Sequence, residues 1–480
     1  MAKPYNNSMN YQTQKILLTG NVDDEVHAYL LWCCEQSNKL YNSVLFSIRQ
    51  DYFENCNYKT WFDKNDNYRR SRSLRRIKIS YAQLCQEFKD NFHYQAIGGQ
   101  QGQQTIKSVV EAIKGYNQLL PMWFNGELKD KPLIPNYRKK GLYQVAFTSQ
   151  NIRYEALCGC CYLPIANSQR KELETPSIVI PSGVKFQSED IAEVRIIPSN
   201  GKLWAEYVYK TQPLLASNLD YSQALGIDHG VSNWLSCTST QGNSFIVNGR
   251  KIKSINQRYN RYVAKYKQGM QRGLEGFPHS LLHQEGKCQE YWDDNLDKVT
   301  HKRNCQMRDA VNKAARLVVN YCLKHQIGNI VFGWNDGQKD SINIGKTNNQ
   351  NFVQIPSARL KKRIQQLAES VGIVFTETEE AYSSQASFLD NDLVPKYGEK
   401  PKGYKFSGKR IKRGLYQTAK GWLVNADAQA AANCLRKVAT QLGLDLARVG
   451  KGSLTVPKRY DLNCLTRSYR KGAEARIYPA

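Results

Sequence analysis

Two aspartates of this chain each stand where a secondary-structure element ends or begins. Asp228 ends an apolar run, LGIDHG, in which Gly230 leaves room for a phosphate or a metal ion. Asp427 opens an Ala-rich helical run, VNADAQAAANCL, where its plain alternative role is a helix N-cap. Carboxylates that converge from separate elements hold the Mg²⁺ pair, about 4 Å apart, of two-metal phosphodiester cleavage. The two aspartates therefore predict a metal-dependent phosphodiester site.

The elements around these aspartates alternate between strands and helices. Apolar runs predict strands at GIDHGVSNWLSCTS, SFIVNG, IGNIVFGW and IVFTETEE. Long helices are expected up to about His325, followed by helices at SARLKKRIQQLAESVG and ADAQAAANCLRKVATQLG. Such a series is typical of a parallel or mixed sheet with helices packed on it. We therefore expect an α/β domain in this half of the chain.

The amino-terminal half follows a different pattern. A strand is predicted at QKILL, residues 14–18, with helices at about 22–51 and 101–120. After the Pro-containing segment 131–141, the short runs YQVAFTS, SIVIPS, VRIIPS and LWAEYVY predict strands of a small β-barrel or sheet. The whole chain is thus expected to be multi-domain α+β.

Charge is the strongest compositional signal. The chain has 68 Lys and Arg against 42 Asp and Glu, a formal net charge of +26, which favours a polyanionic partner bound through counterion release. No apolar run approaches the roughly 18 residues of a membrane span, and the amino terminus lacks the apolar stretch of a secretory signal. We expect a soluble, cytoplasmic protein that binds nucleic acid and no membrane.

The 13 cysteines show no repeated CxxC pair of the kind that holds structural zinc. Cys158, Cys160 and Cys161 are clustered in LCGCCYL, whose apolar flanks fit a buried strand better than a metal site. In a reducing cytoplasm these thiols stay reduced. No zinc is expected.

Three basic clusters are candidates for nucleic-acid contact. Each contains cations without neighbouring acids, which repel one another unless a phosphate backbone lies among them, although a solvated basic face or a flexible basic loop is the plain alternative. Their members are Arg69, Arg70, Arg72, Arg75, Arg76 and Lys78; Tyr137, Arg138, Lys139 and Lys140; and Lys400, Lys402, Tyr404, Lys405, Lys409, Arg410, Lys412 and Arg413. In the third, interleaved aromatic rings suggest stacking on bases of a guide RNA or a displaced DNA strand.

Several segments together resemble the TnpB proteins and the compact type V CRISPR effectors. GIDHGVSNW resembles their first RuvC motif, NADAQAAANCLRK the third, and TEEAYSSQASFLD the segment that precedes their zinc finger. QTIKSVVEAIKGY and GELKDKPLIPNYRKKG resemble the amino-terminal half of the same proteins. The resemblance covers most of the chain, and the segments occur in the order found in that family.

The resemblance implies a bilobed, RNA-guided effector, in which a guide RNA pairs with target DNA while the protein reads a short flanking motif. The implied domains are a wedge β-barrel at 1–20 and 130–215, a helical recognition lobe at 21–129, and a RuvC nuclease domain of the RNase H-like α/β fold at 216–382 and 425–448. A basic insert at 383–424 replaces the zinc finger, and a basic tail follows at 449–480.

The second RuvC motif departs from the family pattern. It normally ends a strand with Glu, but this chain has Gly333 and Trp334 there, and Asp336 stands three residues past Gly333 in an apparent turn. The next strand ends in FTETEE, which resembles TnpB relatives whose acid has been relocated. Glu379 and Glu380 point to opposite faces if the strand persists, so at most one of them is expected to be a ligand, and Glu380 is favoured.

The family's zinc finger has also lost its ligands, because no cysteine occurs between Cys322 and Cys434. The segment 400–414, KPKGYKFSGKRIKRG, stands in its place.

The leading hypothesis is an RNA-guided DNA endonuclease with guide RNA and target double-stranded DNA as partners. Two Mg²⁺ ions would be held by Asp228, by Glu380 or Glu379, and by Asp427. The alternative is an RNA-guided binder that does not cut, which the missing acid at Gly333 favours. A transposase that cuts DNA by itself fits less well, because no nucleophilic Tyr beside a paired-His motif is evident. The sequence leaves the oligomeric state open.

Overall fold

The computed structural model describes residues 10–462, apart from 56–57, 63–66, 73, 129, 140, 156, 183–189, 213–214, 273–284 and 336–353. Two compact units divide the chain. We call Met9–Thr211 the first unit and Gln212–Ala480 the second unit. The expected multi-domain mixture of helices and strands is confirmed. Within the described residues, none of the helices combines the length and the apolar character that crossing a bilayer requires.

The first unit combines helices with antiparallel sheets. Its strands are β1 (Asn10–Leu17), β2 (Tyr58–Phe62), β3 (Tyr68–Arg72), β4 (Val145–Thr148), β5 (Arg153–Glu155), β6 (Cys160–Pro164), β7 (Ser177–Pro181), β8 (Ile191–Ser199) and β9 (Lys202–Thr211). Its helices are α1 (Asp24–Glu54), α2 (Tyr81–Glu87), α3 (Phe92–Ile97), α4 (Gly99–Phe124) and α5 (Arg170–Leu173).

Three antiparallel groups of strands make up the sheets of the first unit. They have the orders β1-β9-β8-β4, β5-β6-β7 and β2-β3. In the described part of this unit no ladder joins β1 to β4, so the strands form open sheets there and the predicted barrel stays a prediction. The β2-β3 hairpin was not indicated by the sequence pattern, and it carries the start of the first basic cluster.

The second unit is built on one six-stranded mixed sheet. The strands of that sheet are β10 (Asp220–His229), β11 (Asn233–Ser239), β12 (Ser244–Asn248), β13 (Ile327–Gly333), β14 (Val374–Thr378) and β18 (Lys458–Tyr460), and the unit also contains β15 (Lys409–Lys412), β16 (Leu415–Gln417) and β17 (Leu423–Asn425). Its helices are α6 (Arg250–Arg272), α7 (Glu285–Lys324), α8 (Ser357–Glu369), α9 (Ala426–Leu442) and α10 (Lys451–Thr455).

The order of the large sheet is β14-β13-β10-β11-β12-β18. β10, β11 and β12 run antiparallel, whereas β13 is parallel to β10 and β14 is parallel to β13. The stretch GIDHGVSNWLSCTS, which the sequence pattern treats as one strand, is therefore two strands joined by a tight turn at Gly230–Ser232. β15, β16 and β17 form a separate small antiparallel sheet that leads into α9.

Alternation along β10 divides its side chains between the two faces of the sheet. Leu225 and Ile227 are fully buried in the core that includes α7 and α8. Ala224 is buried on the other face, with Leu435 of α9. Gly226 lies on that second face, and a Cβ there would be 2.6 Å from Leu435 Cγ. The Ala-rich helix α9 therefore lies unusually close to β10.

This close packing gives a testable expectation for stability. Gly226→Ala should lower the free energy of unfolding by about 1–3 kcal/mol, because the added methyl group meets the backbone of α9 as well as Leu435. Chemical denaturation of the full chain measures the change. The control is Gly452→Ala in the same unit, where a Cβ would meet nothing within 4 Å. Equal stabilities of the two variants would contradict the close approach.

Candidate active site

Asp228 lies two residues beyond Gly226 on β10, so alternation turns it toward the α9 face of the sheet. The pKa of Asp228 is raised well above its ordinary value, first by burial and then by the negative charges of Glu380 and Asp427. Arg410 acts in the opposite direction. The carboxylates of Glu380 and Asp427 thus lie close enough to Asp228 to disfavour its charged form.

Glu380 joins this cluster and Glu379 does not. β14 ends at Thr378, and beyond it the Glu380 Oε1 atom lies 2.7 Å from the Nδ1 atom of His229. The Glu379 carboxylate instead accepts the backbone N–H of Tyr397 at 3.1 and 3.2 Å. The two adjacent glutamates therefore have different surroundings, although the strand whose alternation would have separated them ends before either residue.

Gly333 provides the space that Glu380 uses. A Cβ on Gly333 would lie 2.8 Å from Glu380 Cγ and 2.9 Å from Cys434 Sγ. The Glu380 side chain therefore fills the position into which a side chain on residue 333 would extend. Asp336, the other candidate for a replacement acid, lies outside the described residues.

Asp427 stands in the first turn of α9 but does not cap the helix. The cap is Asn425, whose Oδ1 accepts the backbone N–H groups of Asp427 and Ala428 at 3.1 and 3.0 Å. The Asp427 carboxylate accepts hydrogen bonds from Asn233 Nδ2 at 2.6 Å and from Arg410 Nη2 at 3.1 Å. Its oxygens are therefore directed into the cluster and are not used on its own helix.

The donor chemistry of the cluster fits a hard cation, because carboxylate oxygens are the ligands that Mg²⁺ prefers. Within the part of the chain that the structure describes, however, no three His, Cys, Asp or Glu side chains form a ready metal site. Asp427 is engaged by Asn233 and Arg410, and Glu380 by His229. A bound cation would therefore take over contacts that these neighbours now make.

Sequence reasoning missed three polar neighbours of the acids. His229 and Asn233 belong to the same GIDHGVSNW stretch as Asp228, so their adjacency was the available signal. Lys437 lies on α9, and its Nζ atom is buried without a hydrogen-bond partner among the described residues. Burial lowers the pKa of Lys437, while the charges of Glu379 and other neighbours oppose that shift. No sequence signal distinguished Lys437 from its neighbour Arg436 on the same helix.

The first two basic clusters are divided between exposed and packed side chains. Exposed side chains are those of Arg76, Lys78, Tyr137, Arg138 and Lys139, and Lys140 lies outside the described residues. Arg75 donates to the carbonyl oxygens of Asp51 and Tyr52, each at 3.3 Å, at the end of α1.

Arg138 packs its guanidinium on the rings of Tyr41 and Tyr143, at 4.3 and 3.8 Å from their centroids. Tyr137 has Arg49 over its ring at 5.1 Å. Arg69, Arg70 and Arg72 belong to β3. Arg75 and Arg138 thus have structural contacts in the first unit.

The third basic cluster lies in the second unit with the acids. All four residues of β15 are exposed, yet Arg410 reaches Asp427 and Arg413 donates to Ser232 Oγ at 3.2 Å. Tyr404 packs edge-to-face on Phe406 with ring centroids 5.4 Å apart, and its hydroxyl accepts the backbone N–H of Leu393. The two rings are therefore engaged within the segment itself.

Comparisons with known proteins agree with this architecture. Residues 207–336 match the sequence model of the OrfB_IS605 family, described as a probable transposase. The chain is similar in structure to Cas12f1 from a cryo-EM structure of a Cas12f1–sgRNA–target DNA complex. That likeness has 12% identity, a TM-score of 0.52, and coverage of 89% of this chain and 98% of that chain.

Two further solved structures are more distantly similar. A Cas12f in a CRISPR–Cas12f ternary complex has 12% identity and a TM-score of 0.32 over 86% of this chain and 82% of that chain. CasPhi-2 (Cas12j) bound to crRNA has 11% identity and a TM-score of 0.29 over 65% and 64%. None of the curated proteins matches the chain. The match to the transposase family and the fold shared with Cas12f1 confirm that the chain resembles the TnpB proteins and compact type V effectors.

Proposed function

We propose that this protein is an RNA-guided DNA endonuclease with Asp228, Glu380 and Asp427 as its catalytic carboxylates. The observation that carries the proposal is the Glu380 side chain, which lies in the space left by Gly333 and acts electrostatically on Asp228. A carboxylate thereby stands beside the end of β13, although that strand does not carry one. The loss of the acid from the second motif is thus compatible with a complete carboxylate set.

The fold of the second unit supports the assignment to a RuvC domain. Its five main strands are ordered β14-β13-β10-β11-β12, with β11 antiparallel to both of its neighbours, which is the arrangement expected of an RNase H-like sheet. We assign the helices and open sheets of the first unit to the wedge domain and recognition lobe.

Guide RNA and target DNA are the proposed partners. The net charge of +26 supports a nucleic-acid ligand, and the similar Cas12f1 is described in a complex with sgRNA and target DNA. The exposed strand β15 adds cations beside the acids, so a phosphate backbone can be held near the carboxylates. Base pairing with the guide would then select the sequence that is cut.

Two Mg²⁺ ions are the proposed cofactors, held by the oxygens of Asp228, Glu380 and Asp427. When bound, they supply activation of a water and stabilisation of the leaving 3′ oxygen. The chain itself contributes the three carboxylates, which come from the end of β10, the segment after β14 and the first turn of α9. Arg410 can exchange Asp427 for a DNA phosphate, because a guanidinium binds either anion.

A second candidate function is an RNA-guided binder that does not cut. The contact that favours it is the Arg410–Asp427 ion pair at 3.1 Å, in which the guanidinium group occupies a carboxylate oxygen that a metal ion would need. The chain is expressed together with DNA from its own locus and purified, and the RNA bound to it is sequenced. That RNA is the guide needed for the cleavage and binding assays that separate the two functions. A heterogeneous mixture of host RNA would contradict both.

Asp228→Ala should abolish cleavage of a guide-matched DNA while leaving guided binding intact, because it removes an oxygen ligand without altering the nucleic-acid surface. Single-turnover cleavage and a gel-shift assay on the purified RNA complex measure the two effects. Asp220→Ala is the control, since Asp220 is an exposed acid at the other end of β10 and should cut normally. Normal cutting by Asp228→Ala would refute the site.

The adjacent glutamates provide a matched pair of substitutions. Glu380→Gln should lower the cleavage rate by about 100-fold or more, because a direct ligand matters at least as much as the outer partners of a metal site. Glu379→Gln should stay near the wild-type rate, because its carboxylate accepts the Tyr397 backbone N–H instead. A reversed order of the two rates would move the acid to Glu379.

Without metal, the raised pKa of Asp228 should make the protein less stable as the pH rises. The folded carboxyl keeps its proton at pH values where the unfolded one has lost it, so stability falls by up to about 1.4 kcal/mol per pH unit above the ordinary pKa. Asp228→Asn removes this dependence. In EDTA, the melting temperature of the variant should rise relative to that of the wild type between pH 5 and pH 8. Parallel dependence of the two melting temperatures on pH would contradict the raised pKa of Asp228.

A further inference from the structure

The relocated acid is attached less firmly than an acid on a strand would be. Glu380 lies two residues beyond the end of β14, so no ladder of strand hydrogen bonds fixes its backbone. Glutamate also has three side-chain torsions, all of which must be restricted before its carboxylate can serve as a metal ligand. The structure must therefore supply other contacts that hold this side chain.

His229 makes the most direct of these contacts. Its Nδ1 atom lies 2.7 Å from Glu380 Oε1, and the two side chains are 4% and 10% exposed. A carboxylate that serves as a metal ligand is ionised and only accepts hydrogen bonds, so the proposed site requires the His229 tautomer in which Nδ1 carries the proton and donates. The contact is nearly dry, which makes its geometry more restrictive than that of a surface pair.

The imidazole is itself held in place by aromatic rings. The ring centroids of Trp334 and Phe332 lie 5.0 and 6.0 Å from that of His229, each at an interplanar angle of 30°. Lys361 places its ammonium 4.3 Å from the centre of the Trp334 ring. These contacts fix the plane of the imidazole and hence the direction of its N–H group.

The residues directly after Gly333 also hold the backbone that carries Glu380. The Trp334 N–H donates to the Thr378 carbonyl at 2.8 Å. Asn335 Oδ1 accepts the Glu380 N–H at 3.0 Å. The segment that lost the acid of the second motif therefore supports both the main chain and, through His229, the side chain of the substitute.

We propose that His229 is a positioning residue that holds the Glu380 carboxylate against Gly333, with Trp334 fixing the imidazole. The proposal rests on the nuclease function proposed above and assigns to the residue after Asp228 a role in orienting a ligand. His229 donates one hydrogen bond and touches neither substrate nor reacting atoms in this role. Outer partners of this kind change metal affinity or activity by about 10- to 100-fold.

Three substitutions separate a hydrogen-bond role from a packing role. His229→Asn puts an amide N–H near the position of Nδ1, His229→Gln puts it near Nε2, and His229→Leu keeps bulk without any donor. Because Nδ1 makes the contact, the Asn variant should retain most of the single-turnover cleavage rate. The Gln and Leu variants should lose about 10- to 100-fold and need correspondingly more Mn²⁺ for half-maximal cleavage.

A second measurement does not depend on cutting. The rise in melting temperature of the RNA-bound protein on addition of Mn²⁺, taken relative to Asp228→Ala, reports binding at the carboxylates. The Mn²⁺ concentration that gives half of this rise should be higher for the Gln and Leu variants and unchanged for the Asn variant. His325→Asn is the matched control, since that histidine packs on Tyr321 in the same unit, away from the acids, and should behave as the wild type.

The outcomes distinguish the positioning role of His229 from the nuclease function on which it rests. If Asp228→Ala is inactive while all three His229 variants cut and respond to Mn²⁺ as the wild type does, the positioning role is overturned and the nuclease assignment stands. If all three lose cleavage in proportion to a lower melting temperature without metal, His229 is a packing residue and the proposal also fails. Normal cutting by Asp228→Ala would overturn the nuclease function first.

Discussion

The close approach of α9 to β10 sets the position of Asp427 relative to Asp228. Gly226 and the small residues of α9 allow it, because any side chain on Gly226 would meet Ala431 and Leu435. A helix that starts at the right distance brings Asp427 into electrostatic range of Asp228. Asp228 and Asp427 thus lie close together because Gly226, two residues before Asp228, has no side chain.

The same closeness has an electrostatic cost. Burial and two neighbouring carboxylates disfavour the charged form of Asp228, and the nearby cations offset this unevenly. Arg410 pairs with Asp427, whereas Lys437 is buried without a hydrogen-bond partner among the described residues, and its pKa is lowered. A cluster of acids in a strongly basic chain is therefore a site at which added positive charge is favourable.

Sequence patterns predicted the mixed sheet, with Asp228 at the end of a strand and Asp427 at the start of a helix, because apolar runs and an Ala-rich helix are local signals. They did not separate β10 from β11, since both strands are buried and the turn between them is only three residues long. They placed the candidate acid at Glu379 or Glu380 beyond the next strand, and alternation allowed at most one of the two, but β14 ends before either of them. The contacts of Glu380 with Gly333 and His229 join residues far apart in sequence, so no local pattern contains them.

The basic clusters illustrate the same limit. Arg75 and Arg138 stand in runs that look like nucleic-acid contacts, yet their guanidinium groups also pack on tyrosines of α1 or beside it, although Arg138 stays exposed. No charge pattern reveals these ring contacts. Charge density in the sequence therefore locates a basic region without saying which of its members also make contacts within the protein.

Gly333 and Glu380 also constrain how such a site can evolve. A large side chain at position 333 and a glutamate in the observed place of residue 380 compete for the same volume, so one chain cannot hold both without distortion. Substitutions at positions 333 and 380 are therefore sterically coupled: glycine at 333 leaves the volume that the Glu380 side chain occupies, and a larger residue there would require Glu380 to move.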